Sequence, residues 1–313
     1  MTKIITLTFN PVIDKTSSVK RIVPDKKLRC ETPGFAPGGG GINVARALKN
    51  LGGKAQAIYP VGGHSGKFLI DLMAEESIES ITTETGSRTR ENFIVVDSDS
   101  KQQYRFGFPG EAISEKEQEN LLQLVDKQDM DILVVSGSLL PGMDPAIVGT
   151  VAGIAKKKNA KLVLDTSGEA LKSSLKAGVY LLKPNLGELS SLVGKEEVGD
   201  DEVNAIARDI IEKGQCEVVV VSMGPQGARL VTKNEILHAA APIVKKISTL
   251  GAGDSMVAGM VWGLTQKWSM TETLKYGVAC GTAATITPGS ELCRKQDVER
   301  LLRCIEITKA GRS

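Results

Sequence analysis

The sequence predicts an α/β fold in three layers, in which a mainly parallel central sheet lies between helices and a small β-sheet lid projects from it. Short apolar runs alternate with amphipathic helical patterns along most of the chain, and strands separated by helices form parallel sheets. Two segments, about residues 14–36 and 88–109, break this alternation with β-like patterns and are too long for ordinary connections. We therefore expect one domain, residues 1–313, with both segments contributing lid strands.

The predicted sheet strands share a high content of Val, Ile and Leu, which suits strands buried on both faces. They are Ile4–Phe9, Ala55–Val61, Ile132–Val135, Leu162–Leu164, Tyr180–Leu182 and Val218–Val221. The predicted helices carry apolar residues at helical spacing. They are Asn43–Leu51, Ser65–Glu75, Ser114–Val125, Pro145–Lys157, Leu186–Val193 and Glu202–Lys213. A strand-like stretch, Ile236–Ile247, and a mainly helical last third complete the order.

Composition argues against several classes of function. A net charge of +2, with 24% charged residues and no polybasic block, gives no indication of nucleic acid as a partner. The first residues lack a basic segment followed by a long apolar run, so we expect no signal peptide, no membrane helix and a cytoplasmic protein. The 5 cysteines are widely spaced without a C-x-x-C pair, which indicates reduced thiols, and the 2 histidines argue against a histidine-based metal site.

The stretch Thr249–Asp254 reads T-L-G-A-G-D and opens a predicted helix. Backbone N–H groups at a helix start lack partners and lie at the positive end of the helix dipole, so this turn suits an anion. Asp254 adds a carboxylate at the same place, and a general base beside an anion hole suits phosphoryl transfer. The alternative is an Asp N-cap after a glycine turn.

The stretch Pro37–Asn43 contains four consecutive glycines followed at once by a predicted helix. It lacks the third small residue of the dinucleotide fingerprint, and the Walker pattern fails at Gly66-Lys67, because Val61 and Phe68 stand at required positions. Glycines let the backbone approach a small polar ligand closely, and Asn43 adds a directed amide, which suits sugar hydroxyls. The alternative is a flexible loop.

Polar residues of the two lid segments alternate as they do on one face of a strand. The pairs are Lys27 with Arg29, Arg88 with Arg90 and Gln103 with Arg105. Cations that converge on one pocket would match a phosphate on the substrate. The alternative is a set of solvated strand faces that protect sheet edges.

The stretch Lys183–Glu188 follows a predicted strand, at the carboxyl end where α/β folds place ligands. Asn185 and Glu188 lie on one face of the first helical turn and could hold a hydrated magnesium ion near a nucleotide phosphate. The alternative is a helix cap with its capping Glu. Ser222–Gly227 closes the next strand with a Gly-Pro turn, for which an ordinary hairpin turn is the alternative.

Together these stretches resemble the ribokinase-like (PfkB-type) sugar kinase family over nearly the whole chain. Its two signatures match the region Gly38–Asn43 and the region Thr249–Asp254 with the following helix. Within the family, the sequence is most similar to the branch of bacterial minor-type ATP-dependent 6-phosphofructokinases. The stretches that carry this similarity are Lys27–Cys30, Pro37–Arg46, Gln103–Phe106, Ser136–Pro141, Ser167–Ala170 and Gly251–Met256.

The resemblance implies transfer of the ATP γ-phosphoryl group to the C1 hydroxyl of fructose 6-phosphate, a step of glycolysis. Asp254 would be the general base. The residues implied for the anion hole are Gly251, Ala252 and Gly253. Those implied for the sugar hydroxyls are Asp14, Gly39, Gly40, Asn43 and Ser138. Those implied for the 6-phosphate are Lys27, Arg90 and Arg105, with Arg29 reaching across a dimer interface.

The resemblance also implies an ATP site and two cations. The residues implied for ATP are Lys183, Asn185, Ser222, Gly224 and Gly227. Magnesium would be held through water by Asn185 and Glu188. Potassium would lie beside the anion hole, held by carbonyls near Ser248, Leu250, Ala284 and Gly289.

The resemblance implies a homodimer through the lid, because an exposed sheet edge favours a partner. One departure is Asp25-Lys26, where close relatives tend to have a glycine in the turn. Two sister activities stay open, phosphorylation of tagatose 6-phosphate and of fructose 1-phosphate. A rival of another class is a non-catalytic sugar-phosphate sensor.

Overall fold

The computed structural model describes residues 2–310 and consists of two sheets with helices on both sides of the larger one. In chain order the strands are β1 (Ile4–Leu7), β2 (Val12–Val19), β3 (Gly34–Gly38), β4 (Gln56–Val61), β5 (Glu79–Glu84), β6 (Arg90–Asp97), β7 (Gln103–Phe106), β8 (Ile132–Ser136), β9 (Lys161–Asp165), β10 (Val179–Leu182), β11 (Cys216–Ser222), β12 (Ala228–Thr232), β13 (Ile236–Ala239) and β14 (Ile307–Ala310). The helices are α1 (Gly40–Asn50), α2 (Gly63–Glu75), α3 (Glu115–Asp126), α4 (Ile147–Lys157), α5 (Gly168–Ser174), α6 (Leu186–Leu192), α7 (Glu202–Glu212), α8 (Ala252–Thr265), α9 (Met270–Thr285) and α10 (Lys295–Leu302).

The central sheet has 10 strands in the order β14-β13-β12-β11-β10-β9-β8-β1-β4-β5. Pairing is parallel from β11 to β5 and antiparallel from β11 to β14. Apolar side chains of α1, α8, α9 and α10 cover one face, and those of α3 to α7 cover the other. The predicted three-layer α/β fold is confirmed, since near-continuous apolar strands are buried from both sides.

The second sheet has 4 strands in the order β3-β2-β6-β7. Its inner pair, β2 and β6, is parallel, with Val12 opposite Arg90, and both outer pairs are antiparallel. These strands come from the two segments that break the strand and helix alternation. Both segments therefore leave the central sheet and meet each other.

The structure corrects three local predictions. Residues 20–33 contain no strand, so Lys27 and Arg29 do not share a strand face, and Arg88 precedes β6 instead of lying on it. Of the strand-like stretch Ile236–Ile247, only β13 is a strand, because Ala239 is its last residue that pairs with β12. Helix α1 begins at Gly40, three residues before the predicted start at Asn43.

Asp25, at the position where the resemblance implies a glycine, has a φ of 56°. This is the left-handed region, which a glycine adopts without a steric penalty. Separately, none of the helices within residues 2–310 is both long and apolar enough to cross a membrane.

Candidate active site

The first turn of α8 is an uncapped helix start. Gly251 precedes it with a φ of 69°, a conformation that favours glycine. A Cβ at Gly251 would also lie 2.4 Å from Leu292 Cδ2, so a side chain would clash there. The first helical hydrogen bond runs from the Ser255 N–H to the Gly251 carbonyl at 2.8 Å, and the N–H of Ala252 has only a long bond of 3.4 Å to Thr249 O. No side chain of the described residues caps this helix. Its first N–H groups are therefore available to an anion.

Asp254 lies in that first turn and receives two hydrogen bonds. Asn43 Nδ2 donates to its Oδ2 at 2.9 Å, and Ser136 Oγ donates to its Oδ1 at 3.3 Å. Burial, followed by the nearby carboxylate of Asp165, raises the pKa of Asp254 to about 6, against the opposing effects of Asn43 and Lys183. A carboxylate whose pKa lies close to neutrality is suited to accept a proton from a hydroxyl group.

Asp165 and Lys183 form a buried ion pair beside the Asp254 carboxylate. Lys183 Nζ lies 3.1 Å from Asp165 Oδ1, and the side chains are 5% and 15% exposed respectively. Asp165 ends β9 directly opposite Ser136 at the end of β8, and Lys183 follows β10. Three neighbouring parallel strands thus deliver polar groups to one edge of the sheet.

Negative charge exceeds positive charge at this edge. Burial alone would lower the pKa of Lys183, but Asp165, Glu188 and Asp254 together raise it. Burial raises the pKa of Glu188, and Asp165 raises it further. Three carboxylates thus surround one ammonium group, and a divalent cation would relieve their repulsion. Within residues 2–310 no three acidic, His or Cys side chains converge with metal-binding geometry, so water would have to complete a magnesium shell.

Asn185 and Glu188 form a capping box at the start of α6. Asn185 Oδ1 accepts from the Glu188 N–H at 2.8 Å, and Glu188 Oε2 accepts from the Asn185 N–H at 2.8 Å. The helix-cap alternative therefore describes the local structure of this pair. The capping bonds occupy one carboxylate oxygen of Glu188 and leave Oε1 for another partner.

The turn after β11 lies beside Asn185. Ser222 donates its N–H to Pro184 O at 2.9 Å and forms a parallel bridge with Asn185. Gly224 and Gly227 then belong to a tight turn that joins β11 to antiparallel β12, as the hairpin alternative states. A Cβ at Gly227 would lie 1.9 Å from Ala239 O, so this glycine is required by backbone packing.

The glycine run packs against the ends of two strands. Gly39 precedes α1 with a φ of 108°. A Cβ at Gly40 would lie 2.3 Å from Ser136 Oγ, and one at Gly41 would lie 2.6 Å from Leu7 O. This close approach brings Asn43, in the first turn of α1, to Asp254 in the first turn of α8.

Asp14 is a buried carboxylate on β2 of the second sheet. Asn92 Nδ2 donates to its Oδ1 at 3.2 Å, and a Cβ at Gly38 would lie 2.7 Å from its Oδ2. Burial raises the pKa of Asp14, while the bond from Asn92 and the charges of Arg90, Arg46 and Arg105 lower it. The arginines of β6 and β7 thus lie close to this carboxylate.

Hydrogen bonds join Arg90, Arg105 and Ser138 to neighbouring segments. Arg90 donates to Phe108 O at 2.7 Å and to Asn10 O at 3.1 Å. Arg105 Nη2 donates to Thr249 Oγ1 at 3.2 Å, which joins the second sheet to the turn before α8. Ser138 is exposed, and its Oγ accepts from Asn10 Nδ2 at 3.2 Å.

The structure shows no contact within residues 2–310 that joins Lys27 or Arg29 to the polar groups around Asp14. Both are exposed, on the segment between β2 and β3. Neither forms a salt bridge with any residue in the range 2–310.

The implied potassium position lies near the end of α9. Ile247 and Ser248 donate their N–H groups to Thr285 O at 2.8 and 3.2 Å, which places Ser248 beside Ala284. The Ala284 carbonyl already accepts from Thr287 Oγ1 at 2.9 Å. The remaining positions are Leu250, whose N–H donates to Ser248 Oγ at 3.1 Å, and Gly289, whose φ is 60°.

The model of the pfkB family of carbohydrate kinases matches residues 7–297. The chain belongs to this family. It is 43% identical to ATP-dependent 6-phosphofructokinase isozyme 2 of Escherichia coli, over 96% of this chain and 98% of that protein. It is 39% identical to a protein of the same name from Mycobacterium tuberculosis, over 99% and 92%. Identity is 31% to the 1-phosphofructokinase of Bacillus subtilis, over 98% and 99%.

Solved structures agree with this assignment. The phosphofructokinase-2 of Escherichia coli in complex with potassium has a TM-score of 0.94 and 42% identity, over 97% of this chain and 99% of that one. The same enzyme in complex with fructose 6-phosphate has a TM-score of 0.92 with the same identity and coverage. An Arabidopsis thaliana ribokinase, 19% identical with a TM-score of 0.75 over 97% and 99% of the two chains, shares the fold.

Reasoning from the sequence missed two polar residues of this pfkB site, Ser136 and Asp165. Each is the last residue of an apolar strand, and ligands of open α/β sheets bind beyond the carboxyl ends of strands. That rule pointed to Lys183, and applied to β8 and β9 it would have found the other two.

Proposed function

We propose that this chain is an ATP-dependent 6-phosphofructokinase, which transfers the γ-phosphoryl group of ATP to the C1 hydroxyl of fructose 6-phosphate and releases fructose 1,6-bisphosphate and ADP. The observation that carries this proposal is the carboxylate of Asp254 beside the uncapped first turn of α8. Relatives named 6-phosphofructokinase are 39–43% identical, whereas those named 1-phosphofructokinase are 29–31% identical. The proposal therefore names fructose 6-phosphate.

The chemistry divides between the base and the helix start. Asp254 accepts the proton of the C1 hydroxyl group while the hydroxyl oxygen attacks the γ-phosphorus. The bond from that phosphorus to the bridging oxygen of ADP breaks. The backbone of Gly251, Ala252 and Gly253 stabilises the charge on the phosphoryl oxygens. With a pKa of about 6, Asp254 is mostly ionised at neutral pH and ready to accept the proton.

The sugar phosphate is placed by the second sheet and α1. In this proposal Asp14, Gly39, Gly40, Asn43 and Ser138 hold sugar hydroxyls. Arg90 and Arg105 bind the 6-phosphate in this proposal, because both are cations of the second sheet close to Asp14 and a guanidinium group can bind a phosphate through two hydrogen bonds. Lys27 and Arg29 join them only if the segment between β2 and β3 moves or a second subunit brings them.

The nucleotide and its cation lie on the other side of Asp254. Lys183, Asn185, Ser222, Gly224 and Gly227 would line the ATP site, since the turn after β11 is bridged to Asn185. Magnesium would be held through water by Glu188 together with Asn185, and Asp165 adds to the negative charge that favours it. Potassium would use carbonyls around Ser248, Leu250, Ala284 and Gly289. These metals would neutralise negative charge on the phosphates.

The partner in this proposal is a second copy of the chain. The second sheet and its loops expose large apolar side chains that a monomer rarely leaves uncovered. They are Leu28, Phe35, Tyr104, Phe106 and Phe108. A relative is known in a tetrameric inhibited form. We propose a homodimer through this sheet, with Arg29 crossing the interface, in the cytoplasm, where the free cysteines found here stay reduced.

The test is a coupled assay with ATP, magnesium and potassium that compares kcat/KM for fructose 6-phosphate, tagatose 6-phosphate and fructose 1-phosphate. We expect a clear preference for fructose 6-phosphate. Preference for either other sugar would replace the substrate and keep the base and anion hole.

The Asp254→Asn variant tests the chemistry itself. Its turnover should fall by roughly 10²–10⁴ while the sugar phosphate still binds, because only the base is lost. Binding of fructose 6-phosphate and ATP by the wild-type chain without formation of the bisphosphate would favour the non-catalytic sensor.

A further inference from the structure

Arg46 is a buried cation directly behind the side-chain amide of Asn43. It is 8% exposed and lies three residues after Asn43 on α1. Its Nε and Nη2 donate to the two carboxylate oxygens of Glu76 at 2.8 and 2.6 Å. Its Nη1 donates to Pro37 O at 2.9 Å and makes longer contacts to Asn43 Oδ1 at 3.4 Å and Ser290 O at 3.5 Å. The guanidinium thus joins the end of β3, the Asn43 side chain and the loop after α9.

The chemistry of these groups fixes the orientation of the Asn43 amide. A guanidinium has only donors, so the amide atom that faces Arg46 must be the oxygen. The amide nitrogen then faces Asp254 and donates to its Oδ2 at 2.9 Å. If the amide turned over, its nitrogen would face the donors of Arg46, and its oxygen would face a carboxylate and could bond to Asp254 only when that group is protonated.

We propose that Arg46, held in place by Glu76, is a positioning residue that orients the Asn43 amide so that it donates to the ionised form of Asp254. This inference rests on the proposed function, in which Asp254 is the base. Glu76 supplies a fork-to-fork contact that fixes the plane of the guanidinium. Arg46 contacts Asn43 on the same face of α1, and in this proposal it acts on Asp254 only through that amide.

The competing explanation is purely structural, because the same ion pair also ties α1 to the end of α2. The two explanations differ in what happens to the acid limb of the pH–rate profile. A purely structural pair would lower the rate at every pH. A positioning pair favours ionised Asp254, so its loss raises the pH at which the base becomes active.

A variant must keep the positive charge for this comparison to be clean. Asp254 faces Asp165 and Lys183, and their charges also set its titration. Arg46 further lowers the pKa of Asp14 through its charge. Arg46→Lys retains that charge but cannot contact Glu76, Pro37 and Asn43 at once, because an ammonium group lacks the planar fork.

The experiment measures kcat/KM from pH 5 to 9 for the wild type and Arg46→Lys, with the sugar phosphate that is turned over best. Loss of a hydrogen bond to a charged group should move the acid limb up by about one pH unit. For a limb near pH 6 this is a loss of about fivefold at pH 6 and almost none at pH 8. Glu76→Gln should move the limb in the same direction by less.

Arg294→Lys is the matched control. Arg294 pairs with Glu291 in the same surface groove that Arg46 and Glu76 border, and it makes no hydrogen bond to Asn43 in the described structure. Its acid limb should match the wild type. A limb that stays in place in Arg46→Lys, whatever the absolute rate, overturns the proposal.

A stability measurement, which does not depend on catalytic activity, tests this proposal separately from the proposed function. The stability difference between a chain with Asp254 and the same chain with Asp254→Asn depends on pH through the titration of Asp254. Measured in the wild-type and Arg46→Lys backgrounds, it should show a higher Asp254 pKa in the second. That rise without phosphorylation of any of the three sugars would support the positioning role and sink the kinase assignment. Equal pKa values would sink the positioning role alone.

Discussion

Replacing Asp254 by asparagine should make the fold more stable at neutral pH while it removes the proposed base. The ionised carboxylate is held in a buried site beside Asp165, and its pKa rises from 3.8 to about 6 on folding. An asparagine keeps an oxygen to accept from Asn43, and its amide nitrogen can donate to Ser136 Oγ. The variant therefore loses an unfavourable charge and retains the hydrogen bonds.

The magnitude follows from the linkage between protonation and folding. A rise from 3.8 to about 6 is roughly two units, which corresponds to about 3 kcal/mol at pH 8. The native state binds this proton more tightly than the unfolded state. The contribution of Asp254 to the free energy of unfolding is therefore most favourable below pH 3.8 and is lost as the pH rises through about 6. The stability advantage of Asp254→Asn should thus be largest at pH 8, about half as large at pH 5 and small below pH 3.8.

Urea unfolding at pH 8 and pH 5 measures this difference directly. Asp165→Asn is the contrasting control, because it leaves Lys183 buried without its partner and should cost about 3–5 kcal/mol. The reasoning is refuted if Asp254→Asn is less stable than the wild type at pH 8. It is equally refuted if its advantage is the same at both pH values.

Three further substitutions test other parts of the site. Arg90→Ala should raise KM for the sugar phosphate at least about tenfold with little change in KM for ATP, and an unchanged KM for the sugar would remove Arg90 from the phosphate site. Gly40→Ala should destabilise the fold by about 1–3 kcal/mol in a denaturation experiment, because its Cβ would overlap Ser136. The control is Gly149→Ala, which has open space around it in α4 and should be neutral or stabilising in the same experiment. Glu188→Gln should raise the magnesium concentration needed for half-maximal rate, and an unaltered magnesium titration would exclude its role.

Periodicity predicted the fold well because the parallel strands are buried on both faces, which leaves apolar runs that no surface strand would show. The helix start at Thr249–Asp254 could also be predicted from the sequence, because its glycines and its carboxylate are adjacent in the chain. Ser136 and Asp165 are single polar residues far apart in sequence, so no local motif marks them, and only their position at the ends of β8 and β9 could have pointed to them. The strand predicted for Lys27 and Arg29 failed because alternation of polar residues also occurs in irregular segments.

The glycine run shows how packing and chemistry depend on the same atoms. Ser136 Oγ lies 3.3 Å from Asp254 Oδ1 and would lie only 2.3 Å from a Cβ at Gly40. A side chain at Gly40 would therefore displace either α1 or the Ser136 hydroxyl, and α1 also carries Asn43 to Asp254. Both hydrogen bonds that hold the Asp254 carboxylate in place thus require a residue without a side chain at the start of α1. Gly40 therefore supports the site through this close contact, whether or not its backbone also touches the sugar.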